Sequence, residues 1–311
     1  MDVLSDAIAA MRLGRPHSAL RDKYAPWGFR FGAVDGAGFH VILRGTAWLL
    51  PGETCEDRAP VALGPGDVVF LAHGRGHVLV GELGAEIEDF GPLADGSWPA
   101  APPRRTTGPA PDAVTLCGAY RFDRSRAHPL LADLPDVVHL PARVGAHPAL
   151  RAVVELLGAE LDSPQPGSDT ITAALLDTML LYILRAWWLR ERPGDGMHPT
   201  SWSAALRDPG VAHALQAMHE RPEHPWTVAE LGAESGSSRA AFARRFAATV
   251  GMPPLTYLTW WRMTKAGKLL REDDLPLRVV AEQAGYATEF AFAKAFKREF
   301  GIAPGTYRRS A

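Results

Sequence analysis

The sequence predicts an α+β protein of more than one domain: a front part of short strands, a helical connector, and an all-α rear part holding two helix-turn-helix units. Three observations carry this. The first 145 or so residues alternate short β-rich runs with Gly and Pro. From His147 the apolar spacing becomes helical. The last hundred or so residues repeat themselves at an interval of 50. At 311 residues the chain is also too long for one modest core.

The front part, placed at residues 1–145, holds the runs Phe39-His40-Val41-Ile42-Leu43-Arg44, Asp67-Val68-Val69-Phe70-Leu71, Val78-Leu79-Val80, Val114-Thr115-Leu116 and Val137-Val138-His139-Leu140. Many short strands between turn signals suggest a sandwich or small barrel. The Pro-, Arg- and Thr-rich stretch from Pro99 to Pro111 reads as an exposed loop. Residues 146–200 read as a helical connector, a possible dimerisation region, ending in a linker. Leu150, Val153, Val154, Leu157 and Leu161 share one face, Pro164 and Pro166 break that helix, and a second runs from Thr170 to Trp188. Asp177 and Arg185 interrupt its most apolar part, which argues for a buried or interface helix over a membrane span. Pro, Gly and Asp mark Glu191–Ser201 as the linker.

The rear part, residues 208–309, carries the repeat. Phe242, Phe246, Gly251, Pro254 and Tyr257 recur as Phe292, Phe296, Gly301, Pro304 and Tyr307, while the turn glycines Gly236 and Gly285 lie one residue closer together. Thr227 and Glu230 have capping-box spacing, Gly236 stops the short helix, and Ser237 or Ser238 caps the next. Thr288 plays that part in the second copy. The units are placed at about 228–249 and 277–300. Pro254 opens a long helix between them.

Apolar residues alone would make this a helical bundle. The polar faces add Arg239, Arg244 and Arg245 in one copy and Lys294, Lys297 and Arg298 in the other, which suit phosphates and guanine edges. The net charge of -2 hides an asymmetry: from Thr200 onward it is roughly +4, and before that roughly -6.

The segment Val279-Val280-Ala281-Glu282-Gln283-Ala284-Gly285-Tyr286, continuing into Phe292, Phe296-Lys297, Phe300-Gly301, Pro304 and Tyr307-Arg308, closely resembles the AraC/XylS family of bacterial regulators. The resemblance spans about Asp208 to Arg309. It implies a sequence-specific transcription regulator whose two recognition helices enter successive major grooves, about 34 Å apart, of double-stranded DNA. The family's groove-facing positions fall on Ala240, Ala243 and Arg244, and on Glu289, Phe290, Ala293 and Lys294. Arg239, Arg262 and Lys297 better suit phosphate. Phe290 replaces a residue often polar, which leaves the second unit reading shape or methyl groups.

Gly66-Asp67, Ala72, Gly74 and His77 reproduce most of the second cupin motif, with Ala72 for the usual proline. The resemblance implies a double-sheet cupin-like β barrel acting as effector or sensor domain. Most of the first-motif ligand set is absent around His40. His40, His73 and His77 could still form a three-imidazole metal site, or be hydrogen-bonded and exposed histidines. No cofactor is otherwise implied.

Only two cysteines occur, which fits a reducing cytosol and excludes a disulfide scaffold. Some relatives with this front domain respond to oxidants, so Cys55 and Cys117 are candidate redox residues, although acidic neighbours Glu53, Glu56 and Asp57 oppose thiolate formation. Trp27, Trp48, Phe70 and Trp98 either line an effector pocket or form core. No signal peptide is expected, and the protein is placed in the cytoplasm. Family likeness implies a homodimer through His147–Leu161 or Thr170–Leu189, a small-molecule effector, and RNA polymerase as partner if the protein activates. The competing reading is a metal-dependent cupin enzyme fused to a DNA-binding domain; a third gives the barrel dimerisation alone.

Overall fold

The computed structural model describes residues 2–55, 59–91, 99, 107–122, 128–143, 145–190 and 202–310. Helix α1 (Val3–Met11) opens the chain. Strands β1 (His17–Lys23), β2 (Gly28–Phe31), β3 (Gly36–Arg44), β4 (Ala47–Pro51), β5 (Val61–Leu63), β6 (Val68–Leu71), β7 (His77–Val80), β8 (Glu88–Phe90) and β9 (Ala113–Arg121) follow. After the short helix α2 (Pro129–Ala132) and β10 (Val138–Leu140) come α3 (Pro148–Asp162) and α4 (Ser168–Arg190). The remainder is α5 (Trp202–Arg207), α6 (Pro209–Glu220), α7 (Val228–Glu234), α8 (Arg239–Val250), α9 (Pro254–Glu272), α10 (Leu277–Gln283), α11 (Glu289–Phe300) and α12 (Pro304–Ser310).

These elements form two compact units. The β unit gathers the described parts of Arg12–Arg124 and Leu134–Arg192; the helical unit takes those of Met1–Met11, Ser125–Asp133 and Pro193–Ala311. Helices α1 and α2 therefore belong with the rear of the chain, although both lie in its first half.

In the β unit the strands make two five-stranded sheets, ordered β1-β9-β3-β6-β10 and β5-β4-β7-β2-β8. A shared core joins them: Ile42, Val69, Leu71 and Ala113 from the first sheet meet Leu49, Leu63 and Leu79 from the second. β3 is buried along most of its length because both its faces are covered. Side chains alternate along a strand, so His40 shares the inter-sheet face with Ile42, while Phe39 and Val41 face the other way. There Phe39 packs against Tyr120, whose hydroxyl donates to the Leu176 carbonyl of α4 at 2.7 Å. Arg12 pairs with Asp177 of the same helix. α4 is long and apolar enough to cross a bilayer by length and composition. Its buried Leu176, Met179, Leu180, Ile183 and Leu184, with these polar ties, pack it inside the β unit.

Asp67 explains the turn before β6. One carboxylate oxygen accepts from the Ala142 amide at 2.7 Å; the other accepts from the Gly64 amide at 3.1 Å and lies 3.0 Å from His139 Nε2. The turn itself requires Gly66 at φ +87°.

The helical unit is built on its capping signals. Thr227 and Glu230 form the reciprocal box that opens α7. Ser238 caps α8 by accepting from the Ala241 amide, and Thr288 caps α11 by accepting from Ala291. Gly251 and Gly301 end these two helices in the left-handed conformation. Beneath the second repeat, Met263, Ala266 and Leu270 of α9 pack on Val280, Phe292 and Phe296. Beneath the first, a polar chain crosses the core. The Tyr257 hydroxyl lies 2.6 Å from His219 Nε2 and 3.4 Å from His128 Nε2, while His219 Nδ1 is 3.5 Å from the Asp6 carboxylate of α1. The His219 ring stacks on Trp261 at 3.8 Å. Burial lowers the pKa of both histidines, and the Asp6 contacts oppose this only in part at His219.

Candidate nucleic-acid interface

The duplicated scaffold leaves one face of each second helix uncovered. On α8, Phe242, Phe246 and Val250 are buried, while Arg239, Ala240 and Arg244 are exposed and Ala243 is half-buried. On α11, Phe292, Ala295 and Phe296 are buried, with Glu289, Phe290, Lys294 and Lys297 exposed and Ala293 half-buried. This is the three- and four-residue spacing of a two-sided helix. The side chains of Arg239, Arg244, Lys294 and Lys297 form no ion pair among the described residues, so these cations face solvent uncompensated.

Two other arginines are already engaged. Arg245 bonds Ser237 Oγ at 2.8 Å and Asp208 at 3.3 Å, which ties α8 to the start of α6. Arg262 donates from Nε to the Pro222 carbonyl at 2.6 Å and from Nη2 to the His224 carbonyl at 2.8 Å. Its guanidinium is half-buried, with its pKa lowered by that burial, and it lies against Gly285, where a Cβ would stand 2.8 Å from Nη2. Gly285, at φ +75°, thus serves both the turn and the passage of Arg262. Arg262 therefore differs from the other predicted DNA-facing residues in that its Nε and Nη2 hold backbone carbonyls.

The β unit carries a separate cluster. His40 Nε2 and His77 Nε2 face each other at 2.6 Å, and His40 Nδ1 meets Cys117 Sγ at 2.9 Å. His40 and Cys117 are cross-strand partners between β3 and β9. The Arg75 carbonyl, 3.3 Å from His77 Nδ1, can only accept, so that nitrogen carries the proton. In a neutral ring His77 Nε2 then accepts from His40 Nε2, and His40 Nδ1 accepts from the Cys117 thiol. One carbonyl orders three protons. Burial keeps all three groups neutral: it pushes the His40 pKa down to about 3, with Lys23 adding to the effect, takes His77 well below its ordinary value, and raises that of Cys117.

A cavity bounded by these groups is lined also by His17, Arg21, Phe31 and Phe90. Lys23, buried with its ammonium 3.6 Å from the Phe29 ring centroid, has its pKa lowered to about 8 by desolvation. Of the three histidines considered as ligands, His40 and His77 come together. His73 lies elsewhere, its Nε2 2.8 Å from the Leu134 carbonyl. No group of three or more His, Cys, Asp or Glu suited to a metal occurs among the described residues. Cys55 is buried in the turn after β4, and neither Cys55 nor Cys117 is in a disulfide. Trp27 is core, and Trp98 lies outside the described residues. Sequence reasoning missed Lys23, His128 and His219; the strand His17–Lys23 carries no β-branched residue and no Phe, Tyr or Trp that could have marked it.

Two solvent-facing basic helices on a duplicated helix-turn-helix scaffold, with a double-sheet unit in front, define a DNA-binding regulator with an added β domain. Family models agree: one described as cupin matches residues 2–189, and one described as a helix-turn-helix domain matches residues 231–310. A putative AraC-like transcription regulator of Streptomyces antibioticus is 34% identical over 313 residues, covering 99% of both chains. The HTH-type transcriptional regulator MtrA of Neisseria gonorrhoeae is 30% identical, covering 91% of this chain and 90% of its own. Among solved structures, the DNA-binding domain of AdpA in complex with a target DNA is 31% identical, with a TM-score of 0.32, covering 33% of this chain and 92% of its own. The chain belongs to the AraC-like transcription regulators that carry an N-terminal cupin domain, and it is a DNA-binding transcriptional regulator.

Proposed function

We propose that this regulator reads its operator through Arg239, Ala240, Ala243 and Arg244 of α8 and Glu289, Phe290, Ala293, Lys294 and Lys297 of α11, and that a small molecule in the β unit controls the fit. The observation that carries the DNA reading is the pair of exposed faces whose cations lack internal partners. Arg262 acts as a positioning residue, because its Nε and Nη2 hold the Pro222 and His224 carbonyls. The effector site is the cavity beside His40, His77 and Cys117. The protein acts in the cytoplasm as a homodimer and is not an enzyme. Leu156 of α3 and Ile171 of α4 are exposed and suit the dimer contact. Where it activates, RNA polymerase is a further partner. The effector works by population shift, which requires unequal affinity for two states of the protein.

Selection of bound fragments from random DNA, followed by salt-dependent binding of Arg244→Ala, tests the DNA reading. A loss of about 1–3 kcal/mol concentrated at one base pair is expected. Equal loss on all sequences would reduce Arg244 to a backbone contact. Ligand-dependent thermal protection of the whole chain tests the sensor reading.

A further inference from the structure

Phe290 is 81% exposed, more than any other large apolar side chain among the described residues. It sits in the first turn of α11 beside exposed Glu289, while Lys294 and Lys297 follow about one and two turns later. The 50-residue repeat puts Glu289 and Phe290 where the first unit has Arg239 and Ala240. One scaffold therefore presents two readers of opposite chemistry. α8 begins with a donor and carries no acid; α11 begins with an acceptor and a phenyl ring.

This order of charges restricts how α11 can meet a duplex. A carboxylate is repelled by phosphates, so the Glu289 end cannot lie along the backbone, whereas Lys294 and Lys297 can. The remaining place for the first turn is the groove floor. On that floor a carboxylate finds a donor in the cytosine N4 amino group, and a carbon surface finds the thymine 5-methyl group. Both are pyrimidine features. Arg239 and Arg244, by contrast, seek guanine N7 and O6 or phosphate.

We propose that the operator is chemically polar: the half-site under α11 carries a thymine whose 5-methyl packs on Phe290 and a neighbouring cytosine whose amino group donates to Glu289, while guanine marks the half-site under α8. This rests on the reading of α11 as a DNA-facing helix.

The test uses the full-length chain and an operator selected from random duplexes. Each thymine of the α11 half-site is replaced singly by uracil, which removes the methyl and nothing else. One replacement should weaken wild-type binding about three- to tenfold, the range for burying one methyl or slightly more. Phe290→Ala should bind the thymine and uracil duplexes within about twofold of each other. Because the ring lies outside the core, this variant should keep the wild-type melting temperature. Binding unchanged at every uracil, an equal thymine dependence in Phe290→Ala, or a selected half-site without thymine each overturn the proposal. Lys294→Ala with Lys297→Ala separates it from the underlying reading. If that pair leaves affinity and its salt slope unchanged, α11 does not touch DNA; if the slope falls while uracil has no effect, only the methyl contact is wrong.

Discussion

Acidification should destabilise the β unit, and His40 sets a calculable share. The perturbation is a drop from about pH 7 to about pH 5 in chelator-washed protein. In the unfolded chain His40 titrates at its ordinary value of 6.5; in the folded unit burial holds it at about 3. The unfolded state therefore binds more protons throughout that window, and stability falls as pH falls from 6.5 towards 3. At about 1.4 kcal/mol per pH unit, the group costs about 2 kcal/mol by pH 5. His77, shifted in the same direction, adds to the loss. Urea unfolding of wild type and His40→Gln at both pH values isolates the His40 part. Wild type should lose about 2 kcal/mol more than the variant. Equal losses in the two proteins, or a wild-type imidazole that titrates near neutrality by NMR, would refute the buried, proton-ordered chain from Cys117 to Arg75.

Gly285→Ala should destabilise the helical unit by more than about 2 kcal/mol, since it combines a left-handed backbone with a clash against Arg262. Gly236→Ala, at φ +63° with open space around it, should cost only about 1–2 kcal/mol, so equal melting temperatures for the two would deny Arg262 its role. Tyr257→Phe removes the hydroxyl facing His219 Nε2 and should cost about 1–3 kcal/mol in calorimetry; a neutral result would mean that this nitrogen has another partner. Lys23→Met relieves a buried ammonium and should stabilise the β unit by about 1–3 kcal/mol, and a destabilised variant would show that the lysine serves the fold.

Local signals were legible in the sequence because they act over three or four residues. The Thr227–Glu230 box, the Ser238 and Thr288 caps and the glycine stops all form as their spacing predicts. The cupin-like motif likewise places Asp67 and His77 at the turns around β6 and β7. Contacts set by strand register were not legible. Nothing in the run around Cys117 says that its partner across the ladder is His40, and His73, two residues after Leu71, leaves the first sheet while His77 enters the second. Membership of the helical unit was also invisible. An amphipathic stretch such as Val3–Met11 shows that a face must be buried but not what will cover it. Here the cover includes α6 and α9, more than two hundred residues along the chain, with Asp6 aimed at His219.

Helix α9 joins the two helix-turn-helix units, so the distance between the recognition faces depends on how firmly it is held. Apolar packing alone would leave it some freedom to slide, because dispersion is weakly directional. Polar ties restrict that freedom along its whole length. Tyr257 meets His219 near the start, Arg262 grips two carbonyls in the middle, and Arg271 bonds the Tyr307 hydroxyl near the end. Each bond needs a particular distance and angle, and together they admit one register of α9 against α6, the α6–α7 loop and α12. The spacing of Arg244 from Lys294 is then set before DNA arrives, and binding loses less entropy than a flexible pair would. The same rigidity makes α9 the place where a small shift would alter operator choice most, since both readers move with it. Asp6 and His128 bring the two early segments of the chain to its Tyr257 end. A change in how those segments are held can therefore reach both recognition faces without any contact to DNA.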